Sequence, residues 1–470
     1  MKKFNKDKYL KKLRFNKYKR YLYIGISCLL ILLIGIYFAY SKFIVFKEEE
    51  VVRTTVGDFA SGDAVIGAYI DGEYSKSMPG KNDGYVVEKI VCDNNASASW
   101  NNDSWGIVLT NLTKRTKCNV YFNKIVSVSE KVTTAMNNNP SMFASDDPDN
   151  NVRYIGKNPD NYVYFNCSDY NNPTDDTCEL WRIIGVFNNV TKSDGSKENL
   201  VKIIRADSLG DYSWDYKIKV VGSSTDFKAS NDWTDSQLMM MLNPANYLKS
   251  GYKISGDVVL DTNNQEIYSK MGSYYNGAKG CKPAGIASDA TFSCTEVDFT
   301  STGLKNDATR NAIEEVVWHL GGNYGIDGLK SFDFYEGERG TTVYKDHATL
   351  WIGKIALIYL SDYGYATSGG TAKDRNACLE EVIHNWYNGG EFDDCSENDY
   401  LLTLHYQLTM TVHSNLDDDV FAVSSSGTSG GGSVIADGVV RPSLFLKSNI
   451  SIKSGTGESS NPYQLKLGIA

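Results

Sequence analysis

Residues 21–40, YLYIGISCLLILLIGIYFAY, carry no charged side chain. A helix of about 20 residues rises roughly 1.5 Å per residue and so measures ~30 Å, the thickness of a bilayer's hydrocarbon core. The first 20 residues hold ten Lys or Arg and one Asp, and a flank so basic stays on the cytoplasmic side. Together they predict a cytoplasmic basic tail over 1–20, a single transmembrane helix over 21–43 whose partner is the lipid bilayer, and a C-terminal ectodomain outside the cell. Ala39-Tyr40-Ser41 also fits a small-x-small cleavage site. The apolar run is longer than the core of about 7–15 residues usual in signal peptides, and it ends in bulky Tyr37, Phe38 and Tyr40. An uncleaved signal-anchor is the expectation, and whether the anchor is cleaved stays open. Cys28 lies inside the run, where a thiol in the membrane is the simple reading.

The net charge of -9 averages two unlike parts: +9 in the tail and -18 in the remainder. An acidic ectodomain disfavours nucleic acid and anionic lipid surfaces, both of which need neutralising Lys and Arg. The 31 Tyr of the whole chain suit a β-rich surface, since the ring is apolar and its tip polar.

Beyond Cys28 there are eight cysteines, Cys92, Cys118, Cys167, Cys178, Cys281, Cys294, Cys378 and Cys395. An even count in an exported chain reads as disulfides, of which eight cysteines allow 105 pairings. They fall in four tight couples along the chain, so pairing in chain order is the simplest expectation. Zinc is a poor alternative, because no C-x-x-C occurs and no His stands at ligand spacing beside a couple.

Residues 44–56 read as a charged tether. Over 57–124, AVIGAYIDG, GYVVEKIVC, SWGIVLTNL and KCNVYF alternate as short strands and predict a small all-β sandwich. VSVSEKVTTAMN at 126–137 predicts a short helix with Val132, Ala135 and Met136 on one face, part of a helical linker over 125–150. Residues 151–466 read as one larger α+β domain. RYIGKNPDNYVYFN looks like a hairpin turning at Lys157-Asn158-Pro159-Asp160. LWRIIGVF and LVKIIRAD are apolar strands joined by a polar loop. Three helices are expected. The first is capped by Thr234 and Gln237 ahead of LMMML. The second starts at Asp307 with Ile313, Val316, Val317 and Leu320 on one face, and the third carries Leu379, Val382, Ile383 and Trp386 at the same spacing. WIGKIALIYL, LLTLHYQLTMTV, VFAVSS and GVVRPSLFLKS supply further strands, and SSSGTSGGGS at 424–433 reads as a low-complexity hairpin loop.

Several short motifs occur in one order: Arg153-Tyr154-Ile155-Gly156, Trp181-Arg182-Ile183-Ile184, Asn231-Asp232-Trp233, Glu338-Arg339-Gly340, Ser361-Asp362-Tyr363-Gly364-Tyr365-Ala366, then RPSLFLKS from Arg441, Gly455-Thr456-Gly457 and Asn461-Pro462-Tyr463. Over 150–465 the chain resembles an uncharacterised surface-protein domain family of low-GC Gram-positive bacteria, found in pilin-like and membrane-anchored proteins. The resemblance implies a surface location and no established activity. The usual prepilin motif is missing from the N-terminus. A fainter likeness is to the C-type-lectin-like fold shared with formylglycine-generating enzymes, in which an early strand pairs with the last. LWRII and VVRPSLFL are the stretches that would play those parts. The Glu-Pro-Asn and Trp-Asn-Asp motif of calcium-dependent lectins is absent.

No catalytic, cofactor-binding or metal-binding residue stands out. Gly427-Thr428-Ser429-Gly430-Gly431 matches G-x-S-x-G but sits in a Gly-Ser loop, whereas a nucleophile elbow needs strand, turn and helix. Gly353-Lys354 lacks the glycine spacing of a phosphate loop, with Ile355 where Ser or Thr belongs. His319 and His384 read as packed helix residues, His405 and His413 flank a strand, and His347 has no patterned neighbour. Asp146-Asp147-Pro148-Asp149-Asn150 and Asn415-Leu416-Asp417-Asp418-Asp419 gather oxygen donors without the order of an EF-hand and read as solvated acidic turns, calcium staying open. Glu338 and Arg339 read as an ion pair bracing a loop. The expected role is display at the cell surface: adhesion, binding of an unidentified glycan or protein ligand, or envelope structure. An extracellular hydrolase acting on glycan or peptide is the alternative.

Overall fold

The computed structural model describes residues 64–467, apart from 82, 103, 111–115, 217, 222–223, 228, 256–257, 265, 268–269, 284–293, 326–327, 388 and 404. The tail over 1–20 and the span over 21–43 lie outside the described residues. Among the described residues no helix is long and apolar enough to cross a membrane. The chain divides into two units, ending and beginning at Lys124 and Ile125.

In the first unit, strands run in the order Glu73–Ser75, Ala64–Ile70, Thr116–Lys124 and Tyr85–Cys92. Thr116–Lys124 turns Cys118, Val120 and Phe122 inward at every second position, as a half-buried strand should. A separate hairpin, Ser97–Asn101 with Gly106–Thr110, adds Trp100 to the same core, its ring edge-on to Phe122 at 5.4 Å. The arrangement is the sandwich-like β module expected. Cys92 and Cys118 face each other across two strands and are bonded.

The second unit is built on two sheets. The larger has ten strands, with the order Ile355–Ala356, Ser443–Leu446, Lys197–Arg205, Glu179–Thr191, Tyr162–Phe165, Tyr463–Lys466, Ser451–Ser454, Val126–Ser127 along its main path. The smaller has six, centred on Gln407–His413 between Asp437–Val439 and Asp419–Val423. Glu179–Thr191 and Lys197–Arg205 form the expected antiparallel pair, both faces buried. One apolar core serves both sheets and the intervening helices.

Several expectations are corrected. The 125–150 segment is no linker: Val126–Ser127 is a sheet edge, and Val128 and Val132 of the Val128–Asn138 helix sit in the second unit's core. Val152–Tyr154 and Tyr162–Phe165 do not pair as a hairpin; both lie along Glu179–Thr191, end to end. Gly185 permits this, since a Cβ there would meet Val152 O at 2.2 Å. The Gln237–Leu242 helix is capped by Ser236, not Thr234, and is buried on all sides. Asn306 rather than Asp307 caps the next helix, which ends at Ala312; Val316–His319 is a strand paired with Leu350–Gly353. The third predicted helix is Arg375–Glu380 followed by a separate 3-10 turn, Ile383–Asn385. Residues 429–433 of the Gly-Ser stretch are a strand paired with Asp419–Val423.

The last strand, Tyr463–Lys466, runs parallel to the early Tyr162–Phe165. LWRII and PSLFL do not meet, because Lys197–Arg205 lies between them. Cys167–Cys178 closes the loop into Glu179–Thr191, and Cys378–Cys395 ties the Arg375–Glu380 helix to Asp393–Glu397. Three chain-order bridges are thus in place, and Cys281 is also disulfide-bonded. Each closed loop stabilises by about 2–4 kcal/mol, chiefly through the unfolded chain.

Candidate functional site

Most of the recurring motifs point inward. Arg153 donates from Nε to Asp147 at 2.6 Å and from Nη1 to Asp362 Oδ1 at 2.8 Å. Lys202 Nζ lies 2.5 Å from Asp362 Oδ2, which also accepts from Tyr359 N at 3.0 Å. Lys202 and Asp362 are 0% exposed. Burial alone would raise the Asp362 pKa, but Lys202 and Arg153 outweigh it and hold the carboxyl well below the usual range. Burial lowers the Lys202 pKa, Asp362 only partly offsetting it and Arg153 adding to it. Next along the helix Leu360–Gly364, Ser361 donates from N and Oγ to Glu338, and Thr411 Oγ1 donates to the same carboxyl at 2.7 Å.

Glu338 is fully buried, and burial raises its pKa although Arg339 and these donors oppose the rise. The larger sheet therefore supplies Arg153 and Lys202, the smaller supplies Thr411, and the Leu360–Gly364 and Ser331–Arg339 helices join them by buried ionic and hydrogen bonds. Arg182 donates to Asn161, with its guanidinium over the Tyr162 and Tyr400 rings; Arg441 donates to Arg205 O, Leu401 O and Gln407. These are framework residues. The acidic turn at 146–150 is not simply solvated: Asp146 pairs with Arg375, Asp147 is buried on Arg153, and Asp149 accepts from Tyr335 OH. Asp146 and Asp149 answer a cation and a hydroxyl far along the chain, and Asp147 answers the nearby Arg153.

Asn231-Asp232-Trp233 differs, because it opens on a cleft. Trp233 is the anchor, edge-on to Trp214 at 5.2 Å and Trp351 at 6.0 Å. Asn231 Nδ2 donates to the carbonyls of His413, Leu416 and Asp419 at 2.7–3.0 Å, and its N donates to Asp417 O. One amide thus shapes the 413–419 loop. Asp232 accepts from Thr234 N, Thr234 Oγ1 and Lys249 Nζ. Asp235 accepts from Tyr252 OH at 2.7 Å, with Lys249 Nζ at 3.6 Å. A cleft of about 320 Å³ is bounded by Ser230, Asp232, Asp235, Lys249, Tyr344, Lys345, Asp346, His347 and Asp417. That size is at the small end of ligand pockets, which begin near ~300 Å³.

His347 Nδ1 is 2.8 Å from Asn231 Oδ1. The three carbonyls around Nδ2 fix the amide's orientation, so Oδ1 must accept and Nδ1 must carry the proton. The neutral ring then keeps Nε2 as an acceptor. Burial lowers the His347 pKa, against the pull of Asp232 and Asp235. A histidine lowered from its ordinary 6.5 stays neutral in the fold while the unfolded chain takes a proton, so it costs stability as the pH falls below that value. The unfolding free energy is expected to drop between about pH 6.5 and 5 more steeply in the wild type than in His347→Gln, whose amide can still donate to Asn231. Equal slopes in denaturant titrations would contradict this.

Four carboxylates face two ammonium groups here, so the cleft favours hydroxyl or ammonium groups. Asp232 and Asp235 already accept from Thr234, Lys249 and Tyr252, which suits shaping a cleft better than taking a proton from a substrate. Among the described residues no group of three or more His, Cys, Asp or Glu could hold a metal ion.

The other sequence candidates fall elsewhere. Ser429 begins a strand, with no helix after it. Lys354 Nζ lies near the carbonyls of Arg310 and Ile313. His319 ends a strand, and His384 Nδ1 meets Ser429 O. His405 is exposed and lies before the Gln407–His413 strand, whose last residue, His413, is buried. Of the Asn415–Asp419 stretch, Asp417 reaches the cleft. The sequence named His347 without a role and gave no hint of Lys249, Tyr344, Lys345 or Asp346; an aromatic beside Lys-Asp-His was the only signal.

Compared with known proteins, the chain matches no protein-family model, no curated protein and no solved structure.

Proposed function

We propose that the chain is a membrane-anchored bacterial cell-surface protein that binds a small hydroxyl- or amine-bearing part of a glycan or protein in the Asp232–His347–Asp417 cleft. The carrying observation is the cleft itself: Asn231 holds the 413–419 loop and His347 at once, with Trp233 rooted in the core. Such a site is rigid before its ligand arrives, which reduces the entropy lost on binding. The apolar run over 21–40, its basic flank and the resemblance to Gram-positive surface domains support the location. The engaged carboxylates favour binding over the hydrolase alternative.

The test is a glycan and peptide array probed with the full chain in detergent. Asp346→Asn with Asp417→Asn alters two exposed carboxylates and keeps side-chain shape. Losing charge-assisted hydrogen bonds of about 1.5–3 kcal/mol each is expected to weaken the best ligand at least roughly tenfold with an unchanged melting temperature. Retained affinity would remove the cleft from the proposal.

A further inference from the structure

The structure assigns a site for a small inorganic anion, of chloride size, between the Arg182 and Arg441 guanidiniums and the turn Asp399-Tyr400-Leu401. Among the described residues five cationic side chains are buried: Arg153, Arg182, Lys202, Arg205 and Arg441. Three of them have carboxylates. Arg153 has Asp147 and Asp362, Lys202 has Asp362, and Arg205 has Glu179. Arg182 and Arg441 bond only to neutral groups. Arg182 donates from Nε to Asn161 Oδ1 at 2.8 Å and from Nη2 to Pro159 O at 3.4 Å. Arg441 donates from Nε to Arg205 O at 2.9 Å, and from Nη1 to Leu401 O at 3.3 Å and Gln407 Oε1 at 3.2 Å.

The two are 6% and 4% exposed, and a cation buried without a counter-charge is costly. Each also bears on the other: burial, and after it Arg182, push the Arg441 pKa down to about 10. A guanidinium still keeps its proton at neutral pH. The nearby carboxyl is Asp399, whose Oδ1 accepts from Leu401 N at 2.8 Å. Burial pushes its pKa well above the usual carboxylate range, against Leu401 N, Arg375, Arg182 and Arg441. Asp207 acts on Arg441 as well, but from an exposed position.

The turn draws the two arginines together. The Arg182 guanidinium lies over the Tyr400 ring at 4.6 Å, and Arg441 holds the carbonyl of the next residue, Leu401. Beside them Tyr400 Oη, Gln407 Nε2 and Asp399 Oδ2 are buried and make no hydrogen bond. Tyr400 Oη and Gln407 Nε2 are donors, and a protonated Asp399 is a third. An anion set among these groups accepts from them and from the guanidiniums, whose charge-assisted bonds are the stronger kind. It supplies the negative charge that the other buried cations draw from Asp and Glu. It also joins three distant stretches: the Glu179–Thr191 strand through Arg182, the 399–401 turn, and the segment entering Ser443–Leu446 through Arg441. The donors are themselves buried side chains, so the occupant is an ion of one or a few atoms. The site is separate from the Asp232–His347–Asp417 cleft and depends on no glycan or protein ligand.

Thermal unfolding of the full chain in detergent, in sodium chloride and in sodium gluconate at equal ionic strength, tests the site. Gluconate is too large to enter. An ion that binds only the folded state raises the melting temperature by mass action, and the expected rise from gluconate to chloride is at least about 2 °C. Arg441→Met removes a guanidinium, keeps an unbranched stem, and should abolish the rise. Tyr400→Phe keeps the ring under Arg182, removes only the unbonded hydroxyl, and should reduce it. Equal melting of the wild type in the two salts would overturn the proposal. So would a full chloride effect in Arg441→Met, or in Tyr400→Phe where Arg441→Met does not fold, because the ion would then sit elsewhere.

Discussion

Asp362→Ala is expected to destabilise the second unit by about 3–5 kcal/mol, the cost of leaving buried charges without their partner. Asp362 answers both Arg153 and Lys202, which are 1% and 0% exposed. Its loss leaves Lys202 without its carboxylate against the aromatic rings, takes one of the two carboxylates that Arg153 shares with Asp147, and withdraws the acceptor for Tyr359 N. Stability of this kind is a matter of partnership and not of charge as such: a well-packed apolar replacement of all partners would cost far less than removing one. Chemical denaturation followed by Trp fluorescence measures the effect. A change below about 1 kcal/mol, the range of exposed ion pairs, would mean that water reaches this network.

The second large effect is expected at Trp181. Its side chain is fully buried, edge-on to Phe165 at 5.2 Å, and its Nε1 donates to Glu179. It stands on the central strand of the larger sheet, opposite Val163 on one side and Arg205 on the other. Trp181→Ala removes the indole and leaves a cavity, for a loss of about 3–5 kcal/mol. Unchanged melting together with weakened ligand binding would instead make Trp181 a contact residue and refute its place in the core.

Legibility followed local physics. The strands over 179–205 were readable because Ile, Val and Leu dominate them and a polar loop separates them. The cysteine couples were readable because short loops place each pair in adjacent or bridged elements. Helix spacing misled at 313–320: Ile313, Val316, Val317 and Leu320 fit a helical face, yet Val316 and Trp318 also alternate inward as a strand, and pairing with Leu350–Gly353 decides the matter. Lys202 in LVKIIRAD reads as the solvent side of a strand. It is buried because both faces of that strand are covered, which no local pattern reveals. The cleft was hidden for the same reason: Asn231, His347 and Asp417 are brought together from segments more than a hundred residues and about seventy residues apart. The short sequence motifs are mainly the polar framework between the two sheets, with Asn231-Asp232-Trp233 serving both framework and cleft.

The most direct measurement is hydrogen–deuterium exchange on the full chain, with and without the strongest ligand from the array. Binding in the cleft predicts added protection in peptides spanning 230–235, 344–347 and 413–419, with the rest of the second unit unchanged. Protection confined to residues 64–124, or to any face remote from Asn231, would contradict it.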